Sequence, residues 1–270
     1  MNQFPFKKSE VITNLTNFSQ NELHNYSSNR NFDYGPPHHN VSKISPYLRR
    51  RFISENEVLG VVLKDHKFND IEKFIEEIFW RTYWKGWLES HPWIYDEYKT
   101  YDEDQSIPKK TGIKCFEHWK EELLDTGYLH NHSRMWFASI WIFTLGYSWQ
   151  SGANFFKNNL LDYCPASNTL GWRWVAGLQT IGKPYIAKAD NIKFFTNQRF
   201  YPRNQLKENY ILNDKNITNG KPKNFNISDE NILKKHENLG VILNNNDLSL
   251  HRLLKEKEIV YDCCLFSEKH

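Results

Sequence analysis

Between about Asp70 and Leu88, the residues Ile71, Phe74, Ile75, Ile78, Phe79 and Thr82 fall at three- and four-residue spacings. That pattern predicts a helix with one buried stripe. Upstream, Ser45-Pro46 signals a helix start, with serine as N-cap and proline at the first helical position. Ser54-Glu55-Asn56-Glu57 has the spacing of a capping box. Downstream, Phe116–Asp125 and Ser133–Leu145 read as helices broken by Thr126-Gly127 and Gly146, and Asn154–Leu161 as a shorter one. Asp162–Gly171 reads as a polar loop, and Trp172–Ile181 as a helical or turn segment. Residues 1–40, with a Gly35-Pro36-Pro37 break, read as an irregular lead-in, and 96–114, charged and holding Pro108 and Gly112, as a loop after Pro92. Beyond about Asn197 the chain becomes rich in asparagine and lysine. There Leu239–Leu243 and Glu258–Phe266, with a short helical segment between them, are the good strand candidates and suggest a small βαβ unit. The expectation is a mainly α protein with a lead-in (1–40), a helical domain (41–196) and a small C-terminal α/β appendage (197–270).

Composition narrows the classes. The 270 residues carry 35 basic and 32 acidic side chains, a net charge of +3, which argues against a strongly basic nucleic-acid coat and against an acidic tail protein. A local basic groove remains compatible, because it depends on placement. Mean hydropathy is −0.72 and no run approaches the ~18–20 apolar residues of a membrane span. MNQFPFKKSE lacks the apolar core of a secretory leader, and the four cysteines show no C-x-x-C spacing, so a reducing cytoplasm is expected. All ten tryptophans lie between Trp80 and Trp174. That confinement marks the segment holding the unusual core or the unusual chemistry.

Candidate groups cluster there. Glu77 and Arg81 are four apart and can pair, flanked by Trp80 and Trp84; this suits either a solvated ion pair or a site for a flat heterocycle. His130-Asn131-His132 lacks a third metal ligand at matching spacing, so no metal is expected. Arg134 enters an otherwise apolar helix and needs a carboxylate, for which Asp162 is the candidate. Arg49-Arg50-Arg51 suits a solvated helix end or phosphate contact, and Trp149, Trp172 and Trp174 suit core packing, base stacking or electron hopping.

Taken together, the ordered segments Val41-Ser-Lys-Ile-Ser-Pro-Tyr-Leu48, Glu77-Ile-Phe-Trp-Arg81, His130-Asn-His-Ser-Arg-Met135, Trp149, Asp162-Tyr-Cys-Pro-Ala-Ser-Asn168, Gly171-Trp-Arg-Trp174 and Pro184-Tyr185 resemble the FAD-binding helical domain of the DNA photolyase/cryptochrome family. The resemblance covers roughly Tyr26 to Asn191 and implies folded, U-shaped FAD. By it, Tyr26, Ser42, Ser45, Arg134, Asp162, Cys164 and Asn168 would hold the cofactor. Ser42 and Ser45 would take its phosphates, the Arg134–Asp162 pair would sit beside the isoalloxazine, and Asn168 near flavin N5. Cys164 stands where the family usually has an acidic residue. Glu77, Trp80, Asn131, Met135 and Trp174 would line a pocket for a cyclobutane pyrimidine dimer flipped out of damaged DNA, single- or double-stranded. Trp172 and Trp149 would relay electrons to the flavin, with Trp119 or Trp141 as substitutes for the outer member. Arg81 and His132 would lie near DNA phosphate, while Ala187 replaces an arginine that contacts DNA in the family. The family's α/β antenna domain is absent from these residues, so no antenna chromophore is implied. The implied activity is light-dependent dimer splitting. The alternatives are a cryptochrome-like photoreceptor without repair, or an FAD subunit completed by a separate antenna protein.

Overall fold

The computed structural model describes residues 4–99, 110–209, 220–223, 241–244, 246–248 and 263–266. Its helices are α1 (Lys8–Asn21), α2 (Tyr26–Asn29), α3 (Ser45–Arg49), α4 (Glu55–Val62), α5 (Glu72–Ser90), α6 (Pro92–Lys99), α7 (Lys114–Thr126), α8 (Asn131–Ser139), α9 (Trp149–Asn159), α10 (Pro165–Val175) and α11 (Ala189–Phe195). A π-helical turn, Ile140–Thr144, extends α8. Two short strands, β1 (Val241–Asn244) and β2 (Cys263–Phe266), pair in parallel with Val241 opposite Cys263 and Asn244 opposite Phe266. The protein is therefore mainly helical. The segment between the strands lies largely outside the described residues, as does 100–109 of the expected loop.

Local chemistry accounts for several boundaries. Ser54 and Glu57 form the predicted capping box, with the Glu57 amide donating to Ser54 Oγ at 3.2 Å and the Ser54 amide donating to Glu57 Oε2 at 3.0 Å. Gly127, at φ 68°, closes α7 in the left-handed conformation, where its N–H caps the Leu123 carbonyl. Pro92 opens α6 rather than merely trailing α5.

Other boundaries depart from the sequence reading. The lead-in begins with a fourteen-residue helix, α1, because Val11, Leu15 and Phe18 recur at helical spacing and are buried against α4. Ser45 is not an N-cap: Ile44 precedes it in a helical conformation, and the Ser45 hydroxyl is engaged elsewhere. Helix α9 starts at Trp149, five residues earlier than expected, because Ser148 caps it through the Ser151 amide at 3.2 Å. The supposed loop 162–171 is largely α10, whose Ala166, Asn168, Thr169 and Leu170 are buried. Just before and within α5, Ile71, Phe74, Ile75 and Ile78 are buried as expected, but Phe79 is 40% exposed and Thr82 is exposed. Past Ile78 the helix leaves the first core and meets α10 instead, so the buried arc rotates.

Two cores flank the region that follows. One is mainly aliphatic and built by α1, α3, α4 and the first half of α5. The other is aromatic, with Phe116, Trp119, Trp136, Phe137, Trp141 and Trp172 at its heart. Gly152 sets a close approach inside the aromatic core: a Cβ there would stand 2.2 Å from Trp172 Cη2. The described tail folds back as well. Arg49 donates to Asn246, Arg51 pairs with Asp247 at 3.1 Å, and the Leu248 amide donates to the Arg50 carbonyl at 2.9 Å. No helix of the described residues is long and apolar enough to cross a membrane.

Candidate functional site

A cavity of about 650 Å³ opens between the two cores, walled by α2, the 41–48 segment, α5, α8 and α10. All the expected site residues except Trp149 and His132 line it.

The deepest polar feature is the pair that the apolar surroundings of Arg134 called for. Arg134 Nη1 donates to Asp162 Oδ1 at 3.0 Å and Nη2 to Oδ2 at 2.9 Å, a two-pronged fork. Its Nε donates to the Leu129 carbonyl at 3.0 Å, and its guanidinium lies 5.3 Å from the Tyr128 ring centre. Ser45 adds a third bond to the carboxylate at 2.6 Å, tying α3 to the start of α10. Burial opposes ionisation of Asp162, but Arg134 and Ser45 outweigh it and hold the carboxyl below its ordinary range.

Arg81 departs from expectation. Glu77 pairs with Arg30 of the α2 terminus, Nε to Oε1 3.6 Å, and Arg81 turns into the cavity. Spacing within one helix allowed the Glu77–Arg81 pair, but α2 packed on α5 supplies a competing guanidinium. Arg81 Nε and Nη2 are buried without a partner among the described residues, as is Trp172 Nε1. Burial lowers the Arg81 pKa, with Cys164 and Asp162 opposing that trend. In turn, burial would raise the Cys164 thiol, yet Arg81, Ser167 and Arg49 bring it below its usual value. Arg81 is thus part of the cavity wall.

His132 is buried as well. Its lowered pKa, caused by burial, leaves it neutral. Nδ1 donates to the Asn31 carbonyl at 2.8 Å, Nε2 accepts from the Tyr185 hydroxyl at 3.1 Å, and the ring stacks on Trp136 at 4.0 Å. Both ring nitrogens are thus engaged within the protein. His130, pushed down to about 3 by burial, accepts from the His132 amide at 3.3 Å and caps α8. Ala187 is buried, and its N–H donates to Ser139 Oγ at 2.7 Å.

Along the remaining wall, Tyr26 packs edge-on against Phe74 at 5.2 Å, and burial, then Glu77, raises its phenol pKa. Asn168 is fixed by its side-chain Nδ2, which donates to the Ala153 carbonyl at 2.9 Å. Trp174 stacks on Tyr185 at 5.5 Å, and Trp80 on Trp84 at 5.6 Å. Trp172 meets Trp141 edge-to-face at 6.3 Å, whereas Trp149 stacks on Tyr98 at 5.7 Å, outside the cavity lining. Trp119 is more remote, stacked on Trp136 at 5.4 Å.

Sequence reasoning missed Asp33. Its carboxylate accepts from Ser133 Oγ (2.8 Å), Trp119 Nε1 (3.1 Å) and the Gly35 amide (2.8 Å), and pairs with Arg199 at 3.0 Å. It thereby anchors the first turn of α8, which carries Asn131 and Arg134. Only an Asp-x-Gly turn hints at it locally, since its side-chain partners lie from 86 to 166 residues away.

Comparison with known proteins converges on one assignment. Residues 74–217, just over half of the chain, match the family described as the FAD binding domain of DNA photolyase. A deoxyribodipyrimidine photo-lyase of Alkalihalophilus pseudofirmus is 28% identical over 191 residues, 66% of this chain and 39% of its own length. One from Agrobacterium fabrum is 30% identical over 194 residues, 65% of this chain and 39% of its own. Among solved structures, a class III photolyase from Agrobacterium tumefaciens superposes with a TM-score of 0.56 at 26% identity, covering 73% of this chain and 44% of that one. A Synechocystis cryptochrome shares the fold, with a TM-score of 0.63 at 21% identity over 75% of this chain and 46% of that one. The chain spans about two fifths of the length of the curated relatives it matches.

Proposed function

This chain belongs to the family of the FAD binding domain of DNA photolyase, and from that premise we propose that it is a light-driven flavoprotein that splits cyclobutane pyrimidine dimers in damaged DNA. Its cofactor is FAD. The residues present fit that group. The cavity volume lies within the roughly 300–1,000 Å³ usual for small-molecule and cofactor sites. Buried Arg81 and Trp172 N–H groups without partners call for an acceptor-rich ligand. In such a site, FAD supplies a light-excited electron donor.

What the chain itself contributes is placement. Arg134 and Asp162, locked together and to α3 through Ser45, give the cavity a fixed polar wall against which a flat heterocycle can be oriented. Ser42 and Ser45, Tyr26, Cys164 and Asn168 are assigned as further cofactor contacts. Glu77 and Asn131 hydrogen-bond the carbonyl and imide groups of the lesion, stabilising charge as it develops there. Trp80 and Trp174 stack on it, and Met135 fills the space beside it. Trp172 would be the electron donor for photoreduction of bound FAD. Trp149 is the second relay member, and Trp141, in ring contact with Trp172, is the competing exit. A cytoplasmic location belongs to the same proposal.

The carrying observation is that Glu77, Trp80, Asn131, Met135 and Trp174 line one cavity with the Arg134–Asp162 pair. A second reading, a photoreceptor without repair, is supported by the inward placement of Arg81 and His132, the two residues expected near DNA phosphate, and by Ala187 standing where the family has an arginine. The deciding measurement is the loss of dimers in irradiated oligothymidine under near-UV to blue light with reduced flavin. Reduced holoprotein that repairs none, in single or double strands, moves the assignment to the photoreceptor.

A further inference from the structure

The strip formed by Val41, Ser42, Lys43 and Ile44 has a cavity on each face. On one side lies the cavity of about 650 Å³ already described. On the other, a second cavity of about 310 Å³ separates the strip from Asn14, Asn17 and Phe18 of α1. Of the four residues only Ile44 is buried. The strip is therefore placed by its tethers more than by packing. Ser45 supplies one, through its bond to Asp162. Asn40 Nδ2 supplies another, donating to the Asn29 and Phe32 carbonyls at 2.9 and 2.8 Å. A further tether is His38, whose carbonyl accepts from the Val41 amide at 3.4 Å. Its buried ring reaches across to α7, where Nε2 donates to Glu122 Oε1 at 2.6 Å. Nδ1 stands 3.6 Å from Asp33 Oδ1. At φ 56°, His38 holds a left-handed backbone conformation that only firm surroundings maintain.

Charge makes this tether different from the other two. Glu122 is buried, and a buried carboxylate without a cation is costly. The group nearest to it that can carry a positive charge is the His38 ring; His118, one turn earlier on α7 and exposed, stands 3.8 Å from the other carboxylate oxygen. Asp33 is already matched by Arg199 at 3.0 Å. Two uncharged rings complete the surroundings of His38. His130, 5.8 Å away and nearly parallel, is kept neutral by burial. Tyr128, 5.6 Å away, stays a neutral phenol because burial raises its pKa. An imidazole that faces a carboxylate at each nitrogen is suited to a proton on each, and both nitrogens are donors only in the cationic ring.

We propose that His38 is a positioning residue for the cofactor: as an imidazolium pinned between Glu122 and Asp33, it holds the 41–44 strip where bound FAD requires it. This role rests on FAD occupying the larger cavity, as in the reading above, and is independent of dimer repair.

The test reads FAD affinity and amide hydrogen exchange in the full chain, in the dark. In the unsubstituted protein, added FAD should slow exchange in the peptide spanning 41–44; unchanged exchange there overturns the proposal. His38→Gln keeps a donor for Glu122 but not the charge. It should weaken FAD binding about tenfold, as for a wall correctly placed about a tenth of the time. It should also speed exchange in the 41–44 peptide while leaving α10 unmoved. Adding Glu122→Gln removes the stranded carboxylate and lets two amides pair, so the double variant should recover most of the affinity. A merely structural loss would instead speed exchange throughout, with no recovery in the double variant. Unchanged affinity in His38→Gln, or a loss that Glu122→Gln does not relieve, overturns the pin. Should His38→Gln prove insoluble, the double variant still decides: affinity near that of the unsubstituted protein supports the pin, and a tenfold loss overturns it. If dimers go unrepaired while the His38 effects persist, the positioning role stands and the repair reading fails. Repair by a protein whose FAD affinity ignores His38 separates them the other way.

Discussion

Two arginine–carboxylate pairs border the same cavity on different terms. Arg134 and Asp162 meet through two bonds near 3 Å, deep in the wall, with Ser45 and the Leu129 carbonyl absorbing further hydrogen-bonding capacity. Arg30 and Glu77 stand 3.6 Å apart, with Glu77 36% exposed. The deep pair is hard to rearrange, since separating it strands a buried charge. A partly solvated pair like the second contributes about 0–1 kcal/mol, so its partners can be exchanged cheaply for a ligand. The contrast suits a fixed wall for a resident cofactor and an adjustable one for a transient guest.

The largest break should come from Asp162→Ala, which leaves Arg134 buried and unpaired at a cost of ~3–5 kcal/mol. Purified variant should show low flavin content by absorbance and poor solubility; full flavin and an unchanged melting temperature would dissolve the contrast. The same pair sets an acid limit. Because the folded-state pKa of Asp162 lies below its ordinary value of 3.8, its stabilisation is complete above that value and lost as pH falls through the folded-state value. Flavin release on acidification should therefore include an Asp162-dependent component, absent in Asp162→Asn.

Gly152→Ala comes next. Its new Cβ would collide with the Trp172 indole, and overpacking of that kind costs ~1–3 kcal/mol. It should lower the melting temperature and slow flavin photoreduction together. Trp172→Phe should sharply slow photoreduction per bound flavin, because phenylalanine is much harder to oxidise than an indole. The smallest expected change in stability belongs to Glu77→Gln, within about 0.5 kcal/mol for a partly exposed pair. It should nevertheless lower the repair yield per absorbed photon with the flavin spectrum unmoved.

What could be read in advance followed the range of the forces. The Ser54–Glu57 capping box lies within one turn, and its chemistry is complete in four residues. The Arg134–Asp162 pair, though 28 residues apart, was legible because a guanidinium in an apolar helix demands a carboxylate. Glu77 was misassigned because the four-residue rule knows only its own helix, and Arg30 arrives from another. Helix α10 was hidden by its small polar residues, which look like a loop until close packing against α9 explains them. The enclosure of His132 by Asn31 and Tyr185 could not be read in advance, because both partners lie far from it in the chain.

The tie between Arg49–Arg51 and residues 246–248 also has a schedule. Roughly two hundred residues separate its ends, and a ribosome adding about 5–20 residues per second needs on the order of 10–40 s to deliver the second after the first. Asp162 emerges well before that, so the deep pair can close while the basic triplet is still unclasped. During synthesis, Arg51 therefore meets the surrounding solution before it meets Asp247.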